Sequence, residues 1–331
     1  MKGCMIAGVS SGSGKTTVTA AVLAGLVQRG VRVGAYKAGP DYIDPGFYAA
    51  ITGRPGINLD LWLCGEEAVQ YLYAWYGSGC ELGIVEGVMG LYDGIGHEGS
   101  FCSSAHLAKT LDLPVVLVVD GKGLSMSAAA IVQGFQGFDR DVNIAGVIFN
   151  RVSSEAHYAL LKQIIEEKTG LVCLGYLPAD PTFALAGRHL GLVTACETEG
   201  LPDKIARLGQ AALRHINLER LEELCIQAEP AAMPANMAKF LEKNERRLAG
   251  KTVGVAKDSA FQFYYQPNFD LLEALGAELA FFSPMEAAKP PKAHALYVGG
   301  GFPELFGQAL AENVSFRDTL RQRLAEGQKC Y

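Results

Sequence analysis

The chain has 331 residues, a length typical of about two domains. Hydrophobic residues make up 49% of it and charged residues 19%, which is typical of a globular protein. The net charge of −6 argues against a strongly basic nucleic-acid binder. No apolar run reaches the ~18 residues of a membrane helix, and the N-terminus leads into a glycine-rich loop rather than a cleavage site. The 8 cysteines form no CxxC pair, so we expect reduced thiols in a cytoplasmic protein with no membrane partner.

Short apolar segments alternate with helical patterns over residues 1–200. Nearly apolar strands separated by helices are typical of a parallel sheet that is covered on both faces. The sequence therefore predicts a doubly wound α/β domain. The predicted strands are Gly3–Gly8, Val31–Lys37, Leu82–Val88, Pro114–Asp120, Ile144–Asn150 and Leu171–Leu177, and the clearest helices are Thr16–Arg29 and Ala105–Leu111.

The rest of the chain divides into a charged segment and a second alternating pattern. Residues 201–250 contain charge pairs and prolines, which favour a helical, solvated connector. Residues 251–331 alternate again and predict a second, smaller α/β domain. Its predicted elements are strands Thr252–Ala256, Glu278–Phe282 and Ala295–Val298, helices Asn268–Leu275 and Val314–Glu326, and a strand that starts at Lys329.

The strongest local motif is the loop from Gly8 to Thr17, GVSSGSGKTT, which follows a strand and opens a helix. Backbone N–H groups at such a helix start favour an anion. Lys15 is expected to reach the β- and γ-phosphates of ATP, and the Thr16 hydroxyl to hold Mg²⁺. Five residues separate Gly8 from Gly14, one more than usual, and this longer loop resembles that of dethiobiotin synthetase. The predicted nucleotide-binding residues here are Gly12, Ser13, Gly14, Lys15, Thr16 and Thr17.

A second motif, KAGPDYIDP, follows the second predicted strand and contains Lys37, Asp41 and Asp44. Open α/β sheets bind ligands at the carboxyl ends of their strands, so the two carboxylates could bind a metal or orient a substrate. Asp and Pro also favour ordinary turns. The two interpretations are equally supported by the motif alone.

Polar residues also end two further strands. Glu86 closes an apolar strand, where P-loop proteins place a residue of the Mg²⁺ shell. Asp93 follows in a glycine-flanked loop and could meet the transferred phosphoryl group or the substrate; a loop cap is the alternative. Asn150 could contact the adenine edge, or it could serve a turn.

Together these motifs resemble the cobyrinic acid a,c-diamide synthase family. The resemblance rests on KAGPDYIDP, VEGVMGLYDG, GVIFNRV, GYLPADP followed by GRHLGL, FQFYYQPNFDLLE and YVGGGFPEL, which occur in family order along nearly the whole chain. It implies a dethiobiotin-synthetase-like P-loop domain in residues 1–200 and a class I glutamine amidotransferase-like domain in residues 251–331. It also implies that ATP activates tetrapyrrole carboxylates, and that ammonia from glutamine then displaces phosphate.

The resemblance also implies roles for individual residues. Asp41, Asp44, Glu86 and Asp93 belong to the metal and substrate region of the synthetase site, with Thr16, Asp44 and Glu86 as metal ligands. Lys15, Asp41, Asp44 and Asp93 are the expected catalytic residues. Lys37 and Asn150 join the phosphate loop as nucleotide-binding residues. The implied cofactors are ATP and Mg²⁺, and a homodimer is an expectation at the family level.

The chain departs from the family pattern in two places. Tyr48 stands where family members usually have histidine. In the second domain, Cys330 aligns with the strand that precedes the nucleophile, not with the nucleophile itself. We therefore expect residues 251–331 to be the N-terminal part of an amidotransferase domain, truncated before the nucleophile, and to lack glutaminase activity.

Three other interpretations are open. Ni-sirohydrochlorin a,c-diamide synthase shares these motifs and differs in its tetrapyrrole. A P-loop switch ATPase of the partition and division-site type would carry an additional lysine near the start of the loop, where this chain has Val9-Ser10-Ser11. A catalytically inactive corrinoid-binding protein would keep the pocket without hydrolysing ATP.

Overall fold

The computed structural model describes residues 1–96, 99–183, 187–188 and 191–331, which form two compact units, Met1–Met233 and Pro234–Tyr331. All the strands predicted for the first unit are found, within two residues of their predicted bounds. Its strands are β1 Lys2–Gly8, β2 Val33–Ala38, β3 Ile57–Leu59, β4 Leu82–Gly90, β5 Val115–Asp120, β6 Ile144–Val152, β7 Val172–Pro178, β8 Gly187–Arg188, β9 Gly191–Leu192 and β10 Ile226–Gln227. Its helices are α1 Lys15–Gln28, α2 Asp44–Thr52, α3 Leu61–Cys64, α4 Glu66–Tyr76, α5 Ser104–Thr110, α6 Ser127–Phe138, α7 Glu155–Thr169, α8 Leu201–His215 and α9 Leu218–Leu224.

A parallel sheet forms the centre of the first unit. Its strand order is β3-β2-β4-β1-β5-β6-β7, and β10 pairs antiparallel with the start of β1. Because helices cover both faces, β1, β2 and β5 are almost fully buried, as their apolar sequences predict. Strands β4 and β5 lie on the two sides of β1. The loops at the carboxyl ends of these strands form a crevice.

The segment from residue 201 to residue 233 lies in the first unit, whereas the sequence analysis assigned it to a connector. Helix α8 packs along α1, and Gln28 donates a hydrogen bond to the carbonyl oxygen of Ala206 over 3.2 Å. Gly25 permits the close approach, because a Cβ there would lie 3.0 Å from the Cβ of Ala212. The apolar stripe of α8 is therefore part of the core, although charged residues surround it in sequence.

The second unit contains a smaller parallel sheet of order β13-β11-β14-β16 and an antiparallel pair, β12 with β15. Its strands are β11 Thr252–Ala256, β12 Phe261–Phe263, β13 Glu278–Phe282, β14 Ala295–Tyr297, β15 Gly300–Gly301 and β16 Lys329–Cys330, and its helices are α10 Ala235–Lys243, α11 Gln266–Ala274, α12 Gly307–Glu312 and α13 Val314–Ala325. In the described part of the chain, no helix is both long enough and apolar enough to cross a membrane.

Candidate functional site

The phosphate-binding loop lies between β1 and α1, as its sequence predicts. Gly12 and Gly14 have φ angles of 78° and 90°, which side-chain-bearing residues rarely adopt, and Gly14 caps the start of α1. Lys15 folds back over the loop, and its Nζ donates to the carbonyl oxygen of Ser10 over 3.1 Å. Among the described residues, the buried Oγ of Ser13 has no hydrogen-bond partner. The glycine backbone and the start of α1 thus form the loop that is expected to bind phosphate.

Beside the loop, three side chains converge on the carboxylate of Glu86, which is fully buried in the middle of β4. Its Oε1 accepts hydrogen bonds from the Thr16 hydroxyl and from Lys37 Nζ, each over 2.7 Å. Its Oε2 accepts a hydrogen bond from the Tyr48 hydroxyl. Lys37 Nζ also lies 2.6 Å from Asp44 Oδ2. Lys37 is therefore shared by two buried carboxylates.

Burial and mutual charge shift the pKa values in this cluster. Burial alone would lower the pKa of Lys37, but Glu86 and Asp44 outweigh it, so that pKa lies above its ordinary value. Burial, together with the negative charge of Glu86, raises the pKa of Asp44 to about 6. Burial lowers the pKa of Lys15, and Glu86 partly opposes that shift. Lys37 remains charged at neutral pH, and Asp44 protonates more easily than an ordinary aspartate.

The two other acidic candidates make local turn contacts. Oδ1 of Asp41 accepts the backbone N–H groups of Ile43, over 2.6 Å, and Asp44, over 3.0 Å, so Asp41 shapes the start of α2. Oδ2 of Asp93 accepts the N–H of Gly90 over 2.8 Å. These are the turn contacts that the sequence analysis gave as the alternative. They do not exclude a further role, because each carboxylate has additional lone pairs.

On the opposite side of the loop, Asn150 and Arg151 at the end of β6 bind the loop itself. Asn150 Nδ2 donates to the carbonyl oxygen of Ser13 over 3.1 Å. Arg151 Nη2 donates to the carbonyl oxygen of Gly12 over 2.9 Å, and its Nη1 lies 2.6 Å from Asp120 Oδ2. The amide of Asn150 therefore fixes the loop in this structure.

A cavity of about 480 Å³ joins these features at the carboxyl ends of the strands. Asp44, Asp93 and Ser13 do not line the cavity. Asp44 forms an ion pair with Lys37, and the carbonyl oxygen of Ser13 accepts a hydrogen bond from Asn150; both Lys37 and Asn150 line the cavity. His189, of the GRHLGL motif, lies outside the described residues. Of the predicted site residues, Gly12, Gly14, Lys15, Thr16, Thr17, Lys37, Asp41, Glu86 and Asn150 line the cavity.

Comparison with known proteins shows the family to which this chain belongs. The family described as "CobQ/CobB/MinD/ParA nucleotide binding domain" matches residues 4–192, and "CobB/CobQ-like glutamine amidotransferase domain" matches residues 252–331. The cobyrinate a,c-diamide synthases of Streptococcus sanguinis and Listeria monocytogenes serotype 4b are 45% and 43% identical over 100% of this chain and 72% of their own length. This chain belongs to the cobyrinate a,c-diamide synthase family. The solved MinD cell division protein of Aquifex aeolicus aligns with 70% of this chain and 100% of its own at 19% identity, with a TM-score of 0.41.

Membership in the cobyrinate a,c-diamide synthase family confirms the predicted fold class and the predicted type of enzyme. The first unit is an ATP-binding P-loop domain, and residues 252–331 are amidotransferase-like. The family consists of glutamine-dependent, amide-forming ligases. A ligase is therefore favoured over a nucleotide-dependent switch.

The amidotransferase-like unit of this family member places Cys330 in strand β16, where its partner in β14 is Leu296. This is the strand position predicted for Cys330. The neighbouring glycines are closely packed: a Cβ on Gly301 would lie 2.0 Å from the carbonyl oxygen of Ala260. The N–H of Gly299 donates to the Tyr264 hydroxyl over 2.8 Å.

Several cavity residues were not predicted. Arg151 directly follows Asn150, which was predicted at the end of a strand, so the sequence indicated that Arg151 also lies near the site. Asp180 lies in the GYLPADP motif, and Phe183 follows that motif. Met89 has a φ of 50° at the end of β4, a backbone conformation that its sequence does not indicate.

Proposed function

We propose that this enzyme uses ATP and Mg²⁺ to amidate the a and c side-chain carboxylates of cobyrinate through acyl phosphates, with ammonia derived from glutamine. The observation that carries the proposal is the convergence of Thr16, Lys37 and Tyr48 on the buried Glu86, directly beside Lys15 of the phosphate loop. The names of the relatives supply the substrate and its two positions.

The residues present fit a Mg²⁺ site. Mg²⁺ prefers oxygen ligands and commonly combines one or two protein groups with substrate phosphates and water. The hydroxyl of Thr16 and the carboxylate of Glu86 are 2.7 Å apart, and the carboxylate of Asp44 lies across Lys37. In the described ranges, no cluster of three His, Cys, Asp or Glu side chains could hold a metal by itself. We propose Thr16, Glu86 and Asp44 as its protein ligands; bound there, the ion neutralises phosphate charge.

The chemistry requires a carboxylate to react with a phosphate although both are anions. An oxygen of the substrate carboxylate attacks the γ-phosphorus, the bond to ADP breaks, and an acyl phosphate forms. Ammonia then attacks the acyl carbon, loses a proton, and phosphate leaves as the amide forms. Lys15 is proposed to stabilise the charge on the transferred phosphoryl group. Lys37 keeps Glu86 and Asp44 in place through its two ion pairs.

Asp41 and Asp93 are proposed to orient the incoming ammonia, and not the ionised carboxylate that reacts. Both follow strands that flank the cavity, β2 and β4, on the side away from Asn150. Each uses one oxygen in a turn, and the rest of the carboxylate can accept hydrogen bonds from ammonia or from a protonated side arm.

Cys330 lies in strand β16 and not in a tight turn. A nucleophile of this class is expected on a strained turn after such a strand. We therefore propose that Cys330 is not the glutaminase nucleophile.

The test is an amidation assay with Mg-ATP, in which cobyrinic acid and Ni-sirohydrochlorin are supplied separately with ammonium or glutamine. We expect diamide and phosphate from cobyrinic acid with ammonium, and none from a Lys15→Ala variant. A preference for Ni-sirohydrochlorin would change the substrate but keep the reaction. Absence of both diamide and phosphate from a polypeptide that binds ATP would contradict the proposal. The same preparation gives the oligomeric state by light scattering, where a homodimer is expected.

A further inference from the structure

An exposed group of large apolar side chains lies beside the candidate site. The exposed fractions are 64% for Trp62, 64% for Leu63, 53% for Ile95 and 52% for Phe101. The rings of Trp62 and Phe101 meet edge to face with their centroids 6.3 Å apart, and the N–H of Ile95 donates to the carbonyl oxygen of Phe101 over 2.9 Å. We call these four residues the apolar cluster. Contiguous exposed apolar side chains of this size commonly mark a binding surface.

The apolar cluster is held in place by the backbone beneath it. Asp60 is buried, and its Oδ1 accepts the N–H groups of Trp62 over 2.8 Å and Leu63 over 2.9 Å. This cap fixes the short turn that presents both side chains. The backbone that carries Trp62 and Leu63 is therefore fixed before any ligand binds, which lowers the entropy cost of binding.

The sheet order places the apolar cluster on the substrate side of the site. Trp62 follows β3, and Phe101 follows β4, while β2 lies between these strands. The contact between the two rings thus crosses the line of β2, the strand that leads to Asp41 and Asp44. Asn150, on the nucleotide side, is at the end of β6, beyond β1 and β5.

One continuous loop connects the cavity with the apolar cluster. Met89 lines the cavity, Asp93 follows it, and Ile95 begins the cluster. A volume of about 480 Å³ falls in the lower half of the range for sites that enclose one drug-sized ligand. If the nucleotide fills this cavity, the tetrapyrrole ring must lie outside it.

We propose that the apolar cluster binds the face of the tetrapyrrole macrocycle while one carboxylate arm enters the cavity. This inference rests on the proposed function, because it assumes a tetrapyrrole substrate. A broad ring with an apolar face and a charged rim matches exposed aromatic side chains, which leave the rim carboxylates in water. It also gives a reason for an apolar surface next to a site rich in acidic groups: stacking holds a polyanionic substrate without requiring cations.

The test measures binding of cobyrinic acid and of Ni-sirohydrochlorin by absorbance titration, separately from turnover. We expect Trp62→Ala and Phe101→Ala each to raise the tetrapyrrole Kd about tenfold, with the affinity for ATP and the melting temperature unchanged. Trp62→Phe keeps a ring and should retain most of the affinity. Trp75→Ala is the matched control, because Trp75 is 59% exposed and lies near the end of α4, where it lines a different cavity together with Met1 and Gly77.

The outcomes separate this inference from the proposed function. If the unmodified protein amidates a tetrapyrrole and the alanine variants bind it as tightly, the apolar cluster is not the macrocycle site. If those variants instead change only the oligomeric state in light scattering, the cluster contacts a second copy of the chain and the inference is wrong. If no tetrapyrrole is bound or amidated while ATP still binds, the proposed function fails, and this inference fails with it.

Discussion

The hydroxyl of Tyr48 donates a hydrogen bond to Oε2 of Glu86, and both side chains are completely buried. The other oxygen of Glu86 accepts from Thr16 and Lys37. Both oxygens of the candidate metal-binding carboxylate are therefore positioned by neighbouring donors. The residue that departs from the family pattern acts in this structure on the carboxylate, not at the cavity wall, since Tyr48 does not line the cavity.

Tyr48→Phe should weaken the candidate site, because it removes the hydroxyl that bonds to Glu86 while it keeps the aromatic ring. The change leaves one buried oxygen of Glu86 without a partner, which typically costs about 1–3 kcal/mol. We expect a lower free energy of unfolding by that amount and a several-fold higher Mg²⁺ concentration for half-maximal ATP binding. Urea denaturation and calorimetric titration at several Mg²⁺ concentrations measure the two effects.

The matched control is Tyr48→His, which introduces the residue usual in the family and keeps a hydrogen-bond donor. It should recover more of the Mg²⁺ dependence than Tyr48→Phe does. Equal stability and equal Mg²⁺ dependence of the phenylalanine variant and the unmodified protein would show that the contact with Glu86 has no role.

Lys37→Met should be among the most destabilising single changes in the first unit. It removes the cation between Glu86 and Asp44, and breaking a buried ion pair typically costs about 3–5 kcal/mol. The control is Lys109→Met, because Lys109 pairs with Asp139 at the surface and such pairs are worth about 0–1 kcal/mol. Urea denaturation at pH 8 compares the two variants. Similar losses from both would mean that the buried pairs are no stronger than the surface pair.

The local motifs and the expected parallel sheet predicted which residues lie near the candidate site. Glu86 in β4 and Lys37 near the end of β2 could be placed towards one edge of a parallel sheet, because the carboxyl ends of parallel strands meet there. The pairing itself could not be predicted. That Lys37 serves both Glu86 and Asp44, and that Asn150 bonds to Ser13, depends on side-chain distances between segments up to 137 residues apart.

The sequence predicted the fold correctly for the strands that consist almost entirely of apolar residues. It did not do so where apolar and charged residues are mixed. The central strands are apolar on both faces, which left little ambiguity. Helix α8 has charged residues on its exposed face, and its narrow apolar stripe was outweighed by the charged, proline-containing sequence that follows it. Strand β3 is three residues long, too short to give a period.

Gly14→Ala should destabilise the protein without bound nucleotide more than Gly12→Ala does. Both glycines have a positive φ, so both variants carry a backbone strain of about 1–2 kcal/mol. At Gly12 a Cβ meets nothing within 4 Å, whereas at Gly14 it would lie 1.9 Å from Nδ2 of Asn150. The additional loss at Gly14 should shrink when Asn150→Ala is added, and a double-mutant cycle on melting temperature detects that coupling. Additive effects would contradict the contact.

Asp44 should make the stability of the protein depend on pH in a direction opposite to that of most aspartates. In the folded protein its pKa is raised to about 6, against about 3.9 in an unfolded chain. The folded state therefore binds the proton more tightly, so this contribution to stability is fully present below the unfolded pKa and is lost as the pH rises through 6. Between pH 7.5 and pH 5.5, acidification should add about 1 kcal/mol from this group.

The measurement compares the unmodified protein with Asp44→Asn in urea denaturation at both pH values, with EDTA present and nucleotide absent. Groups outside this cluster titrate equally in the two proteins, so the difference between them reports on Asp44 and on its effect on neighbouring charges. We expect the free energy of unfolding of Asp44→Asn, minus that of the unmodified protein, to be more positive at pH 7.5 than at pH 5.5, because only the aspartate gains stability by binding a proton. A difference that stays constant, or that grows on acidification, would mean that Lys37 stabilises the ionised form enough to cancel the effect of burial.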